Sequence, residues 1–412
     1  MFVKSRLFFL SLVVVLGLGT AFADDPYLRG PEERLWKPVA DAVYLQESGE
    51  QADSDKPLLT VAALDGMVVV STGDAVYEWE YGQLTAVPEA PTGIRRFRVL
   101  DGALWGLSDS GLYRYDGYDI EQLSGEAFVD ACLVRGEVYA ATRDTVYRYV
   151  DGELIDVEPE TGFRSTNSTF LMEDGTQVLM HPERIGPVVR LAGYSETLYV
   201  MRPGELVLLD NDLVDPRVAD WGLPPSNNFR DMIALGNRLL IGTDKGIAVL
   251  RGMAMTTLDG SDGLPYEDVI CFAEGFDGDL WIGTTWGAIR HLKDGSFHYF
   301  AGKRWLPNDK VNDIAVSEDA IYIATDGGLG VIHYEPFTLQ KKAAVYERRM
   351  EEWGHKRLGF VHLLNRGGPN GEWIREITDN DGGFTTHWLT AMTYKYAVTG
   401  DPKAWEEAVN TL

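Results

Sequence analysis

Leu280-Trp281-Ile282-Gly283-Thr284-Thr285-Trp286-Gly287-Ala288-Ile289-Arg290-His291-Leu292 reads as two short strands joined by a tight turn. The same pattern returns as Leu239-Leu240-Ile241-Gly242-Thr243-Asp244-Lys245-Gly246-Ile247-Ala248-Val249-Leu250 and as Ile321-Tyr322-Ile323-Ala324-Thr325-Asp326-Gly327-Gly328-Leu329. Leu104-Trp105-Gly106-Leu107-Ser108-Asp109-Ser110-Gly111-Leu112-Tyr113 is a fourth copy, and weaker copies begin at Val68, Val138 and Leu198. Leu198, Leu239, Leu280 and Ile321 follow one another at intervals of 41 residues. A period of about 40–45 residues is that of a four-stranded propeller blade. No single blade buries both of its faces, so the units must close into a ring.

Each residue type in the unit has a physical reason. Trp105, Tyr139, Tyr199, Trp281 and Tyr322 are bulky enough to fill the wedge between neighbouring blades. Gly283-Thr284 and Ala324-Thr325 leave room for a tight turn, and Gly111, Gly246 and Gly287 stand where positive φ is expected. The expected fold class is mainly β: a seven-bladed β-propeller over 57–340, behind an N-terminal extension (24–56) and ahead of a helical segment (341–412). The first units are closer together than the last four, which implies trimmed outer strands. The gap between Val138 and Leu198 is wider and holds Thr161 to Gly193. A long insertion is favoured there, with an eighth, degenerate blade as the alternative.

The first 23 residues read as a secretory signal peptide. Lys4 and Arg6 precede the apolar run Leu7 to Leu18, and Ala21-Phe22-Ala23 is a small-x-small cleavage site. The expected location is secreted or periplasmic, with no membrane insertion after cleavage. Cys132 and Cys271 fall in inner strands on opposite sides of the ring, too far apart to bridge, and are expected as buried free thiols. The formal net charge is -26. So acidic a surface repels phosphate backbones, and no nucleic-acid partner is expected.

The repeats resemble the two-component-regulator propeller family, periplasmic sensor repeats found ahead of hybrid histidine kinases and in some secreted proteins. The Leu-Trp-Ile-Gly-Thr-x-x-Gly pattern carries the resemblance, together with the preceding Gly222-Leu223-Pro224, Gly263-Leu264-Pro265 and the altered Trp305-Leu306-Pro307. Tyr115-Asp116-Gly117 fits the usual blade ending, whereas Leu292-Lys293-Asp294-Gly295 and Tyr334-Glu335-Pro336 depart from it. The resemblance spans about Pro57 to Phe337 and implies a propeller without naming a ligand.

Segments leading into innermost strands lie at one mouth of the central channel. Here they carry Asn227, Asn228, Arg230, Glu267, Asp268, Asn308, Lys310 and Asn312, with Trp286 and Trp305 in nearby turns. Arg95-Arg96-Phe97-Arg98 and Asn167-Ser168-Thr169 are the counterparts in earlier blades. Amide, carboxylate and guanidinium groups beside aromatics suit a sugar, whose hydroxyls need forked hydrogen bonds and whose ring needs a flat apolar face. The competing reading has the polar groups cap strand ends and the tryptophans pack between blades. No nucleophile elbow, zinc motif or phosphate loop is present. The seven histidines (181, 291, 298, 333, 355, 362 and 387) are scattered, so neither a metal site nor a cofactor is expected.

After Phe337 the period changes. Gln340 to Lys356 and Thr385 to Val398 read as helices, and Asp401-Pro402 caps and opens a third whose apolar face runs through Ala404, Trp405, Ala408 and Val409. With nothing left to cover that face, the helical domain is expected to continue past Leu412. Thr378 to Asp401 resembles the opening hairpins of (α/α) toroid enzymes acting on carbohydrates. That resemblance implies a pocket lined by Asp379, Asp381 and His387. Three functions stay open: a propeller that binds or senses an extracellular ligand such as a glycan, the N-terminal part of a polysaccharide lyase or hydrolase, and a purely structural interaction platform.

Overall fold

The computed structural model describes residues 40–157, 169–171, 177–179, 186–210, 213–215, 224–252, 254–368 and 372–412. The first 23 residues, read above as a signal peptide, Asn167-Ser168, Gly222-Leu223, His181 and most of the insertion lie outside the described residues. The chain divides into two compact units, one spanning Leu45–Pro336 and the other Phe337–Leu412 with the described residues before Leu45.

The first unit is a seven-bladed propeller built of four-stranded antiparallel sheets. Six blades are contiguous, at residues 60–86, 94–124, 128–156, 190–215, 229–258 and 269–300. The seventh takes three strands from residues 311–337 and its fourth from Tyr44–Asp53. The stretch placed outside the propeller on sequence grounds therefore supplies its closing strand. All seven anchors fall on the second strand of a blade. Residues 169–171 pair with 177–179 as a separate two-stranded hairpin between blades 3 and 4, so the wide gap holds an insertion and not an eighth blade.

The four-stranded period follows from local chemistry. Thr243, Thr284 and Thr325 each donate their hydroxyl to the carbonyl three residues on, at 2.7–2.8 Å. The same oxygens accept the N–H two residues on, so threonine closes the turn between the second and third strands. Gly246 (φ 104°) and Gly287 (φ 95°) take the left-handed conformation expected of them, whereas Gly111 does not. A Cβ on Gly111 would instead meet the Ser124 carbonyl oxygen at 2.6 Å. The small residue before the threonine serves packing and not the turn. A Cβ on Gly283 would press on Cys271 Sγ and lie 2.6 Å from Val311 of the next blade. Trp105 and Trp281 are fully buried against their neighbouring blades, as wedge residues should be.

The second unit contains helix α1 (Leu339–Glu352), two short hairpins within residues 356–376, and helices α2 (Asp381–Thr399) and α3 (Pro402–Thr411). Asp401 caps α3 through Lys403 N, with Pro402 in its first turn. Helix α2 begins four residues before the expected Thr385. That threonine is not a cap, because its hydroxyl accepts the Val361 N–H at 3.0 Å. Met392, Ala404 and Ala408 form the core of the α2–α3 pair. No helix among the described residues is long and apolar enough to cross a membrane.

Candidate functional site

The innermost strand starts beside the turn that joins the second and third strands of its blade, as Phe229 pairs with Thr243 and Val311 with Thr325. The lead-in segments and these turns therefore share one mouth. Their polar groups pair in a repeated way. Lys56 meets Asp74 at 2.6 Å, Arg95 meets Asp109 at 2.6 Å, and Lys310 meets Asp326 at 3.0 Å. Asn312 donates to Asp326 (2.8 Å) and to the Leu58 carbonyl (2.9 Å). Arg230 pairs with Asp268 at 2.6 Å, and Asp268 also accepts from Thr285 at 2.9 Å. Ser226 and Asn228 hydrogen-bond Asp244 and hold its carboxyl below the usual range. Glu267 accepts the Gly260 N–H at 2.8 Å, and Asn308 accepts the Lys310 N–H at 2.9 Å. Asn227 is exposed. The mouth is thus a belt in which most charged groups are already matched.

The aromatics separate into two roles. Trp305 is partly buried and sets its ring edge-on to Phe300 at 5.0 Å, so it packs between blades. Trp286 projects from its turn, 56% exposed. Tyr299 donates its hydroxyl to the Trp286 carbonyl. Burial first, then Asp309 and Tyr266, push the Tyr299 phenol up to about 12. Tyr266, Trp286 and Tyr299 are all exposed, and each belongs to blade 6 or its lead-in.

Deeper in the channel lies a ring of equivalent residues that sequence reasoning did not recognise as a set, and Arg96 and Arg98, read as mouth residues, face buried Asp130 there. Thr60, Arg96, Asp130, Arg190, Asp231, Cys271 and Asp313 occupy one equivalent position in the seven innermost strands, each opposite the third residue after an anchor. Four of them clasp the next blade. Asp313 accepts Val61 N (3.2 Å), Thr60 accepts Phe97 N (2.9 Å), Asp130 accepts Leu191 N (2.9 Å) and Asp231 accepts Phe272 N (3.0 Å). An innermost strand is an edge whose free N–H groups need such acceptors. Guanidiniums balance the carboxylates: Arg98 lies 2.9 Å from Asp130 and Arg190 3.2 Å from Asp231. Burial opposes the charge on Arg98, but Asp130 and Asp231 outweigh it and hold the group above its ordinary range. Burial would likewise raise Asp130, yet Arg98, Arg96 and Arg190 hold it below. Burial, with Arg96 next in effect, lowers Arg190 to about 10. For Asp313 burial prevails and raises the carboxyl. Cys132 and Cys271 are buried free thiols, and burial pushes both upward.

The histidines serve locally. His291 stacks on Phe297 at 4.5 Å, His298 meets Glu47 at 3.2 Å and His333 meets Glu50 at 2.8 Å. No cluster suited to a metal ion occurs among the described residues. In the second unit Asp379 is exposed, and the His387 ring lies 2.7 Å from the Gly383 carbonyl. Asp381 is buried, accepts Thr378 N (3.1 Å) and meets His362 at 2.8 Å. It therefore ties the start of α2 to its neighbours and does not stand beside Asp379 as a free carboxylate.

The chain is a β-propeller, and one stretch carries the signature of a named repeat. Residues 263–286 match the two component regulator propeller family. That stretch is the Gly-Leu-Pro lead-in and the two inner strands of blade 6. No curated protein matches the chain in sequence. Among solved structures, virginiamycin B lyase of Staphylococcus aureus with quinupristin aligns with TM-score 0.50 and 12% identity, over 70% of this chain and 99% of that one. The extracellular domain ascribed to a hybrid two component system of B. thetaiotaomicron aligns with TM-score 0.52 and 14% identity, over 70% of this chain and 39% of that one. At such identities the likeness is one of fold.

Proposed function

We propose that this chain is a secreted or periplasmic propeller that binds or senses an extracellular ligand, a carbohydrate, at the mouth on blade 6. The observation that carries the reading is Trp286, a large aromatic held out to solvent by a turn, with Tyr299 fixing its backbone and Tyr266 near by. A flat exposed ring beside amides and carboxylates is what a sugar requires. Exposed Asn227, Glu267 and Asn308 and the paired Asn228, Arg230, Asp268, Lys310 and Asn312 supply the polar surround. The signal-like first 23 residues and the two-component repeat match support the exported location and the sensing role.

A glycan array followed by calorimetry tests the reading. Wild type should bind at least one glycan class. Replacing an anchor aromatic costs about 2 kcal/mol, roughly a 30-fold loss, so Trp286→Ala should bind that much more weakly while Trp305→Phe keeps affinity. Absence of binding across the array, or binding untouched by Trp286→Ala and by Asn228→Ala with Arg230→Ala, would overturn it. The catalytic reading is weakened because Asp381 is already committed to His362 and Thr378.

A further inference from the structure

We propose that the wedge between blades 1 and 2 is a binding pocket for a small apolar ring compound, a site separate from the channel mouth. At the residue after each anchor the chain places Trp105, Tyr139, Tyr199, Leu240, Trp281 and Tyr322, and each packs toward the following blade. Blade 1 breaks this rule. Its residue at that position is Val69, which packs with Ile94, Phe97 and Leu104 of blade 2.

The missing side-chain volume is not made up by the neighbours. A cavity of about 220 Å³ remains there, lined by Val69, Val76, Ile94, Phe97, Leu104 and Tyr113 among others. A cavity of about 150 Å³ with this kind of lining stays dry and takes benzene. The wedge therefore has room for one substituted ring. Its walls are almost wholly aliphatic and aromatic, so water gains little against them and an apolar guest gains contacts along them, with its outer side open toward solvent. Glu78 and Arg114 are the charged residues of the lining, and Ile120, half exposed, stands at the outer strand where a guest would enter. No other wedge has its large residue replaced by one as small as valine, so the site belongs to this pair of blades.

Toluene is a suitable probe. It should raise the thermal midpoint of wild type with the logarithm of its concentration, as expected for a ligand of the folded state. Val69→Trp or Val69→Phe should fill the space and abolish the shift, while Trp286→Ala should leave it intact. NOEs from toluene to the methyl groups of Val69 and Ile94 in wild type decide the matter even if neither filled variant folds. No shift and no NOE, or a shift undiminished in folded Val69→Trp or Val69→Phe, would overturn the proposal. Loss of glycan binding in Trp286→Ala with toluene binding retained would show the two sites to be independent.

Discussion

Asp130, Asp231 and Asp313 are buried carboxylates, and each stabilises the ring by accepting an N–H from the next blade. Removing one partner of a buried ion pair costs about 3–5 kcal/mol, so Asp231→Ala should lose that much in urea unfolding, because Arg190 and Phe272 N are stranded together. Arg230→Ala breaks a pair whose side chains are 26% and 30% exposed and should cost at most about 1 kcal/mol. Equal losses would contradict the division between clasp and mouth. The two shifted carboxyls also act in opposite directions with pH. Asp130 is held below 3.8, so its stabilisation is complete above that value and is lost as pH falls through the folded pKa. Asp313 is raised above 3.8, so its contribution is complete below that value and is lost as pH rises through the folded pKa. Asp130→Asn should therefore flatten the acid limb of a stability–pH curve. Asp313→Asn should gain on wild type as pH climbs above 3.8. The clasp was legible in principle: its residue stands eight positions before the anchor in six blades and nine before it in blade 6. It was missed because Thr, Arg, Asp and Cys share a place but not a chemistry.

At the scale of elements, the second strand of a blade was the most legible, since its alternation, its threonine turn and its period all agree. Gly283 shows where the reason differs from the reading. Gly283→Ala should cost about 1–3 kcal/mol by overpacking against Cys271 and Val311, whereas a turn role would predict an effect through φ, which is not positive there. The closing strand Tyr44–Asp53 was illegible because Gln, Glu, Ser and Gly dominate it and no apolar alternation survives. Its hold comes from the far end of the chain: Glu47 meets Arg290 at 3.1 Å and Glu50 meets His333 at 2.8 Å. A chain starting at Ser54 should unfold at a lower temperature and expose the edge of Gly328–Phe337. Calorimetry with light scattering would show a depressed midpoint and self-association. The short hairpins of residues 356–376 escaped notice for a related reason: two- to four-residue strands carry too little periodicity to read.

For the whole molecule, ring order fixes the redox behaviour. Cys132 lies in blade 3 and Cys271 in blade 6, both buried. Native protein should therefore leave a thiol-specific disulfide reagent almost unreacted, since both thiols are held up by burial. Two thiols per chain should titrate in denaturant without reductant. Fewer than two would mean a bridge and a different ring. A ring of blades and two buried free thiols were readable from the anchors, whereas seven against eight blades stayed open across the wide gap, the strand that closes the ring was missed, and the cavity beside Val69 needed packing that no single repeat reveals.

The closing strand also sets a schedule. Ser48 hydrogen-bonds Glu335, 287 residues further along. During synthesis at ~5–20 residues per second, the first strand waits roughly 15–60 s for its partner. Ring sealing is thus the most non-local event in folding and should come last. A waiting strand rich in Glu, Gln and Ser stays solvated and resists pairing with the wrong edge. The composition that hid the strand from a reading of the sequence is the one that lets it remain unpaired until residue 337 has emerged.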